Sequence, residues 1–164
     1  MKTKHLTRLA LLTTIALILF TVEAQLPPLV PIPGVKLGLA NIVTVYAVFR
    51  YGPRDALMIL LVRVFLGSVF AGAMMAFLFS LCGGLLCWLA MIPLRRILTE
   101  RQIWVCGIIG AVVHNVGQII VCVAIYQTTA VLVYLPVLML SGIVTGLFTG
   151  LAAQFLLKWL KGRL

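Results

Sequence analysis

Gly110-Ala111-Val112-Val113-His114-Asn115-Val116-Gly117-Gln118 sets three polar side chains within five positions of an otherwise apolar run. On a helix, His114 and Gln118 are four apart and share a face that Asn115 flanks. Arg63 interrupts a second apolar run, Asn41 a third, and Lys36 follows a Pro-rich stretch. An imidazole, several amides and two cations suit the recognition of an anionic or strongly hydrogen-bonding ligand. They suit acid–base catalysis poorly. Asp55 is the only Asp, and Glu23 and Glu100 are the only Glu, so paired carboxylates and carboxylate clusters for Mg²⁺ are absent. His5 and His114 are far apart, and Cys82, Cys87, Cys106 and Cys122 follow neither a metal nor a disulfide spacing. Gly34-Val35-Lys36-Leu37-Gly38 lacks the spacing of a phosphate loop. The expectation is a binding protein with no catalytic residue, no metal and no cofactor.

The elements that must hold these residues follow from composition. The 164 residues are 63% hydrophobic and 10% charged, with mean hydropathy +1.22, whereas soluble domains carry about a quarter charged residues. A water-soluble globule is excluded. A net charge of +10 does not read as nucleic-acid binding, because no continuous polar, aromatic-interleaved surface accompanies it. About 20 apolar residues cross a bilayer as a helix. Six segments qualify as candidates, at 6–26, 37–49, 55–71, 73–94, 103–126 and 131–157. The expected architecture is all-α, a six-transmembrane-helix bundle forming one integral membrane domain over residues 1–164. Gln25 to Gly34 contains four prolines, which cannot continue a helix, and is expected to fold as an outer loop between the first two helices. With an inside N-terminus and alternating spans, 11 of the 13 basic residues fall on the cytoplasmic side, all but Lys36 and Arg63. That asymmetry puts both termini in the cytoplasm. Residues 1–24 also have the basic start and apolar middle of a signal peptide, with Val22 and Ala24 at the small-residue positions; Glu23 between them does not exclude cleavage, and a retained first span is expected.

On the fifth span His114 lies about 16 Å and Gln118 about 22 Å from the inner end, so the polar cluster runs from mid-depth outward. Arg63 is near mid-depth, where an ionised side chain costs about 2.5–3.5 kcal/mol on translocon scales. Two readings compete. In one, Arg63 pairs with Glu23 or with helix-end carbonyls, and His114, Asn115 and Gln118 act as interhelical glue worth ~0.6 kcal/mol apiece. In the other, Lys36, Asn41, Arg63, His114, Asn115 and Gln118 line a ligand pocket beneath the Pro-rich loop. Polar groups on four spans, all at mid-depth or above, favour the pocket. Small residues at four-residue spacing, Gly142-Gly146-Gly150 and Gly72-Ala76-Ser80-Gly84, mark faces for close helix packing or for a partner subunit, and Gly83-Gly84 permits a bend.

Four ordered blocks carry a family resemblance. They are Pro33-Gly34-Val35-Lys36-Leu37-Gly38-Leu39-Ala40-Asn41-Ile42, Val62-Arg63-Val64-Phe65-Leu66-Gly67-Ser68, the segment 110–118, and Tyr134-Leu135-Pro136-Val137 through Gly142-Ile143-Val144-Thr145-Gly146. Together they resemble the Gx transporter family, also called heptaprenyl diphosphate synthase component I, over nearly the whole chain. That family is similar to the substrate-binding S components of energy-coupling-factor (ECF) transporters. The resemblance implies six helices, both termini inside, and a ligand site near the outer face under the first loop. It further implies a multi-pass subunit of the bacterial plasma membrane that captures a small molecule and associates with a transmembrane coupling protein and two ATPase subunits. S components often carry an Ala-x-x-x-Ala contact on the first helix; here Ala10 is followed by Thr14 at the second position. The older name implies the alternative, a non-catalytic membrane accessory subunit in isoprenoid or quinone metabolism. Prenyl transfer of that kind uses Asp-rich Mg²⁺ motifs, which a chain with one Asp does not supply.

Overall fold

A computed structural model describes residues 3–25, 38–72 and 74–161. The Pro-rich stretch from residue 26 onward and Lys36 lie outside them, so the expected outer loop and Lys36 as a ligand contact have no structural counterpart here. The described residues form α1 (Thr3–Gln25), α2 (Leu39–Arg50), α3 (Pro53–Ala71), α4 (Met74–Ile97), α5 (Ile103–Tyr126) and α6 (Leu135–Lys161). Short 3-10 turns at Glu100–Gln102 and Ala130–Tyr134 precede α5 and α6. The chain is all-helical where it is described, and each helix falls within a few residues of an expected span. Gly72 is the exception to the packing ridges: with φ +60° it closes α3 in the left-handed region, and a Cβ there would meet nothing within 4 Å. It is a helix terminator, not part of an α4 face.

Four helical stretches are long and apolar enough to cross a membrane: Thr3–Gln25, Phe77–Ile97, Glu100–Tyr126 and Ala130–Lys161. The other two helices differ for separate reasons. α3 is 19 residues long but carries Arg54, Asp55 and Arg63. α2 has only 12 residues, about 18 Å of helix. Its Ala40, Val43, Thr44, Val45, Tyr46, Ala47 and Val48 are all buried, and it packs against α1, α3, α4, α5 and α6. A short helix that is apolar all round belongs in a core. α2 is that core, and Val43, Tyr46, Ala47 and Val48 cluster with Ala16, Ile59, Met91 and Ala153 from four neighbours.

At the end that bears the termini, polar contacts tie the helices together. Pro53 opens α3 at a position that needs no N–H donor, and its carbonyl accepts a hydrogen bond from Trp88 Nε1 at 2.8 Å. His5 Nε2 lies 3.2 Å from the Asp55 carboxylate, joining α1 to α3. Lys161 pairs with Glu100, joining the end of α6 to the turn before α5.

The tightest packing is between α5 and α6, and next between α4 and α5. A methyl group on Gly146 would sit 2.6 Å from the Gly107 carbonyl oxygen and 2.7 Å from Ile108 Cα; one on Gly150 would sit 2.7 Å from Trp104 Cα. On the other side of α5, a methyl on Gly117 would lie 2.8 Å from Gly83 Cα. These backbones touch directly, the arrangement through which dispersion holds helices together where lipid offers no hydrophobic drive. The Gly142-Gly146-Gly150 ridge is therefore buried against α5, and Gly83-Gly84 serve contact within an unbroken α4. Ala10 and Thr14, by contrast, are exposed on α1. Thr14 Oγ1 donates back to the Ala10 carbonyl at 3.0 Å, so the hydroxyl is satisfied and a small apolar surface remains.

Gly146→Leu is expected to destabilise the bundle by about 1–3 kcal/mol or more through overpacking, seen as a lower melting temperature in detergent. Val144→Leu, on the exposed face of α6, should melt with the wild type. Equal melting of the Gly146 variant would show that α5 and α6 are not in backbone contact.

Candidate functional site

A cavity of about 70 Å³ lies among all six helices, towards the end opposite the termini. Its construction starts at Glu23, near the end of α1. The Glu23 carboxylate accepts the Gly38 N–H at 2.6 Å and the Leu39 N–H at 2.9 Å. Gly38 precedes α2 with φ +71°, a left-handed conformation open to glycine at little cost. The first N–H groups of a helix have no partner within it, and its N-terminus carries partial positive charge. A carboxylate on α1 supplies both needs of α2. This cap holds α1 to α2 and fixes the start of α2 over the cavity.

One turn into α2, Asn41 faces α3. Its Oδ1 accepts a hydrogen bond from Arg63 Nη2 at 3.5 Å, the outer limit for such a contact. Arg63 is only 6% exposed, and its Nε is shut off from solvent without a hydrogen-bond partner. Among the described residues Arg63 forms no ion pair with a carboxylate. The pairing with Glu23 that the glue reading offered is not formed; the Glu23 carboxylate caps α2 instead. A guanidinium carries five N–H donors, and a buried one without a counter-charge is costly.

The opposite wall comes from α5. Ala111, His114, Asn115 and Gln118 all line the cavity, the i, i+3, i+4, i+7 positions of one helical face. Asn115 also works as glue: its Nδ2 donates to the Leu138 carbonyl on α6 at 2.6 Å, an oxygen that Ser141 Oγ reaches at 3.0 Å. The imidazole of His114 lies against α4, where a methyl on Gly83 would be 3.0 Å from Cε1. Phe20 on α1, Ser80 on α4, and Thr145 and Thr149 on α6 complete the lining. Thr149 Oγ1 donates to the Gly146 carbonyl at 3.2 Å, so part of the α6 wall is satisfied within its own helix.

Five of the six residues expected to contact a ligand, Asn41, Arg63, His114, Asn115 and Gln118, thus line one cavity, and the sixth, Lys36, lies outside the described residues. Sequence reasoning missed Thr145 and Thr149. Their four-residue spacing within the glycine-rich α6 was the available signal, since residues beside a close-packed ridge border whatever gap the ridge leaves. Phe20 was missed as well. Its ring covers Gly67, where a methyl would come within 3.1 Å of Cε1, and it walls the cavity from the α1 side.

Comparison with known proteins gives one finding. The family model of heptaprenyl diphosphate synthase component I matches residues 12–156, a stretch that includes every residue lining the cavity. No curated protein and no solved structure matches the chain.

The Glu23 cap predicts that Glu23→Ala lowers stability by about 1.5–3 kcal/mol, the range for hydrogen bonds to a charged group. It should also speed hydrogen exchange at the Leu39 amide. Glu23→Gln, which keeps an acceptor but no charge, should lose less. Unchanged exchange at Leu39 in Glu23→Ala would remove the cap from the account.

Proposed function

This chain belongs to the heptaprenyl diphosphate synthase component I family, and from that premise we propose that it is the substrate-binding subunit of an ECF-type transporter. In this reading all six helices form a membrane bundle of the S-component kind in the bacterial plasma membrane, with both termini cytoplasmic. The long helices cross the bilayer, and the short α2 fills the core beneath the outer face. The protein carries no catalytic site. It captures a small molecule from outside, then associates with a transmembrane coupling protein and two ATPase subunits that drive release.

One observation carries the proposal: residues from six helices converge on one cavity around a buried arginine with an unpartnered Nε. Interhelical glue requires donors and acceptors that satisfy one another; Asn115 is held that way by α6, whereas the buried Arg63 Nε is not. Docking to the coupling protein is assigned to the exposed Ala10–Thr14 face of α1, where the side chains are small and the hydroxyl is already bonded. The family name favours a second reading, a non-catalytic accessory subunit in isoprenoid or quinone metabolism. The lone Asp55 of the chain is engaged with His5, which argues against metal-dependent prenyl transfer by this chain in either case.

Native mass spectrometry of the detergent-purified protein tests the proposal. A co-purifying small molecule is expected on the wild type and absent from Arg63→Ala, with folding of the variant retained by circular dichroism. A variant that merely unfolds would assign Arg63 to structure. Ala10→Leu with Thr14→Leu should abolish co-purification of coupling and ATPase subunits while the melting temperature stays within a few degrees. Co-purification of a soluble prenyl-transferring enzyme instead would favour the accessory reading.

A further inference from the structure

Resting on the capture reading above, we propose that the ligand presents an anionic group, a carboxylate or a phosphate, to the guanidinium of Arg63. The charges around the cavity point this way. Glu23 is the one carboxylate lining it, and both of its oxygens are committed to the Gly38 and Leu39 N–H groups. Glu23 therefore serves the N-terminus of α2, and among the described residues it forms no ion pair with Arg63; its charge reaches the guanidinium only through space. Arg63 is more than nine-tenths buried, its Nε has no partner, and Nη2 has only the long contact to Asn41 Oδ1.

A neutral ligand would leave that positive charge facing low-dielectric surroundings, and a cationic one would add repulsion. An anion supplies the missing counter-charge and accepts from the planar N–H fork, a geometry that suits carboxylate and phosphate oxygens alike. Gln118 stands on the opposite wall and brings further hydrogen-bonding capacity. Size agrees. A cavity of about 70 Å³ is several times the ~10–15 Å³ one water needs, enough for the anionic group and a few neighbouring atoms.

The test uses the full chain in nanodiscs of zwitterionic phosphatidylcholine, so that no anionic lipid competes. Sodium acetate and sodium phosphate are each titrated at an ionic strength matched with sodium chloride, and unfolding temperature is read. Binding to the folded state alone raises that temperature as the anion concentration passes its dissociation constant. Acetate or phosphate should stabilise the wild type where chloride does not, and the stronger of the two identifies the group. Arg63→Gln should lose the shift, bind the better anion about 100-fold or more weakly, and melt no lower than wild type, because it removes a buried charge. Should Arg63→Gln fail to fold, Arg63→Lys decides: it keeps the charge without the fork and should retain a reduced shift.

Equal anion shifts in wild type and Arg63→Gln, or no shift in wild type, would overturn the proposal. A neutral or cationic molecule retained on the wild type in native mass spectra would overturn the anion and leave the capture reading standing. Absence of both a retained molecule and any anion response would bring down both.

Discussion

The Glu23 carboxylate gives both of its oxygens to backbone N–H groups at the start of α2, and much of the site depends on that contact. α2 is short and nearly enclosed, so its N-terminal donors have little water to turn to. A charge from α1 answers them and locks the two helices at the same depth. Asn41 is thereby placed one turn below the cap and within reach of α3. The same contact occupies the carboxylate nearest in character to a partner for Arg63. A structural need at one helix end thus leaves Arg63 without an ion-pair partner among the described residues.

Close packing and open space are arranged as complements. α5 meets α6 through Gly107, Gly146 and Gly150, and meets α4 through Gly83 and Gly117. Where glycines face one another the backbones touch. Where Ala111, His114, Gln118 and Thr145 take over, side chains hold the same helices around a gap. Protein interiors rarely leave polar gaps of this size unless water or a ligand completes their hydrogen bonds. The apolar core lies towards the other end, around Tyr46, Ile59, Met91 and Ile103, so the cavity does not interrupt the main hydrophobic contacts.

The helices were legible because apolar runs bounded by Pro, Gly and charged clusters report bilayer length directly. Arg63, His114 and Gln118 were legible because a polar group in such a run is costly and needs a reason. The partner of Glu23 was not. Opposite charge suggested Arg63, but backbone N–H groups of another helix are invisible in side-chain patterning, and the cap depends on where α2 starts. The ridge assignments divided for a similar reason. Four-residue spacing identifies a small face without saying what touches it, and Gly142-Gly146-Gly150 turned inward on α5 while Ala10 and Thr14 turned outward. Gly72 fitted the spacing but ends a helix, since its φ of +60° is a backbone property that periodicity does not carry.

Backbone-to-backbone contact leaves no rotamers to absorb displacement, and this divides the molecule mechanically. α5 with its two glycine seams behaves as a stiff plate shared by α4 and α6. Beside the cavity, α1 meets α3 and α2 through contacts of another kind, a phenyl ring over Gly67 and a carboxylate on two amides. A chamber of adjustable width would therefore give first on the more sparsely packed α1–α3 side, with the glycine seams as the reference.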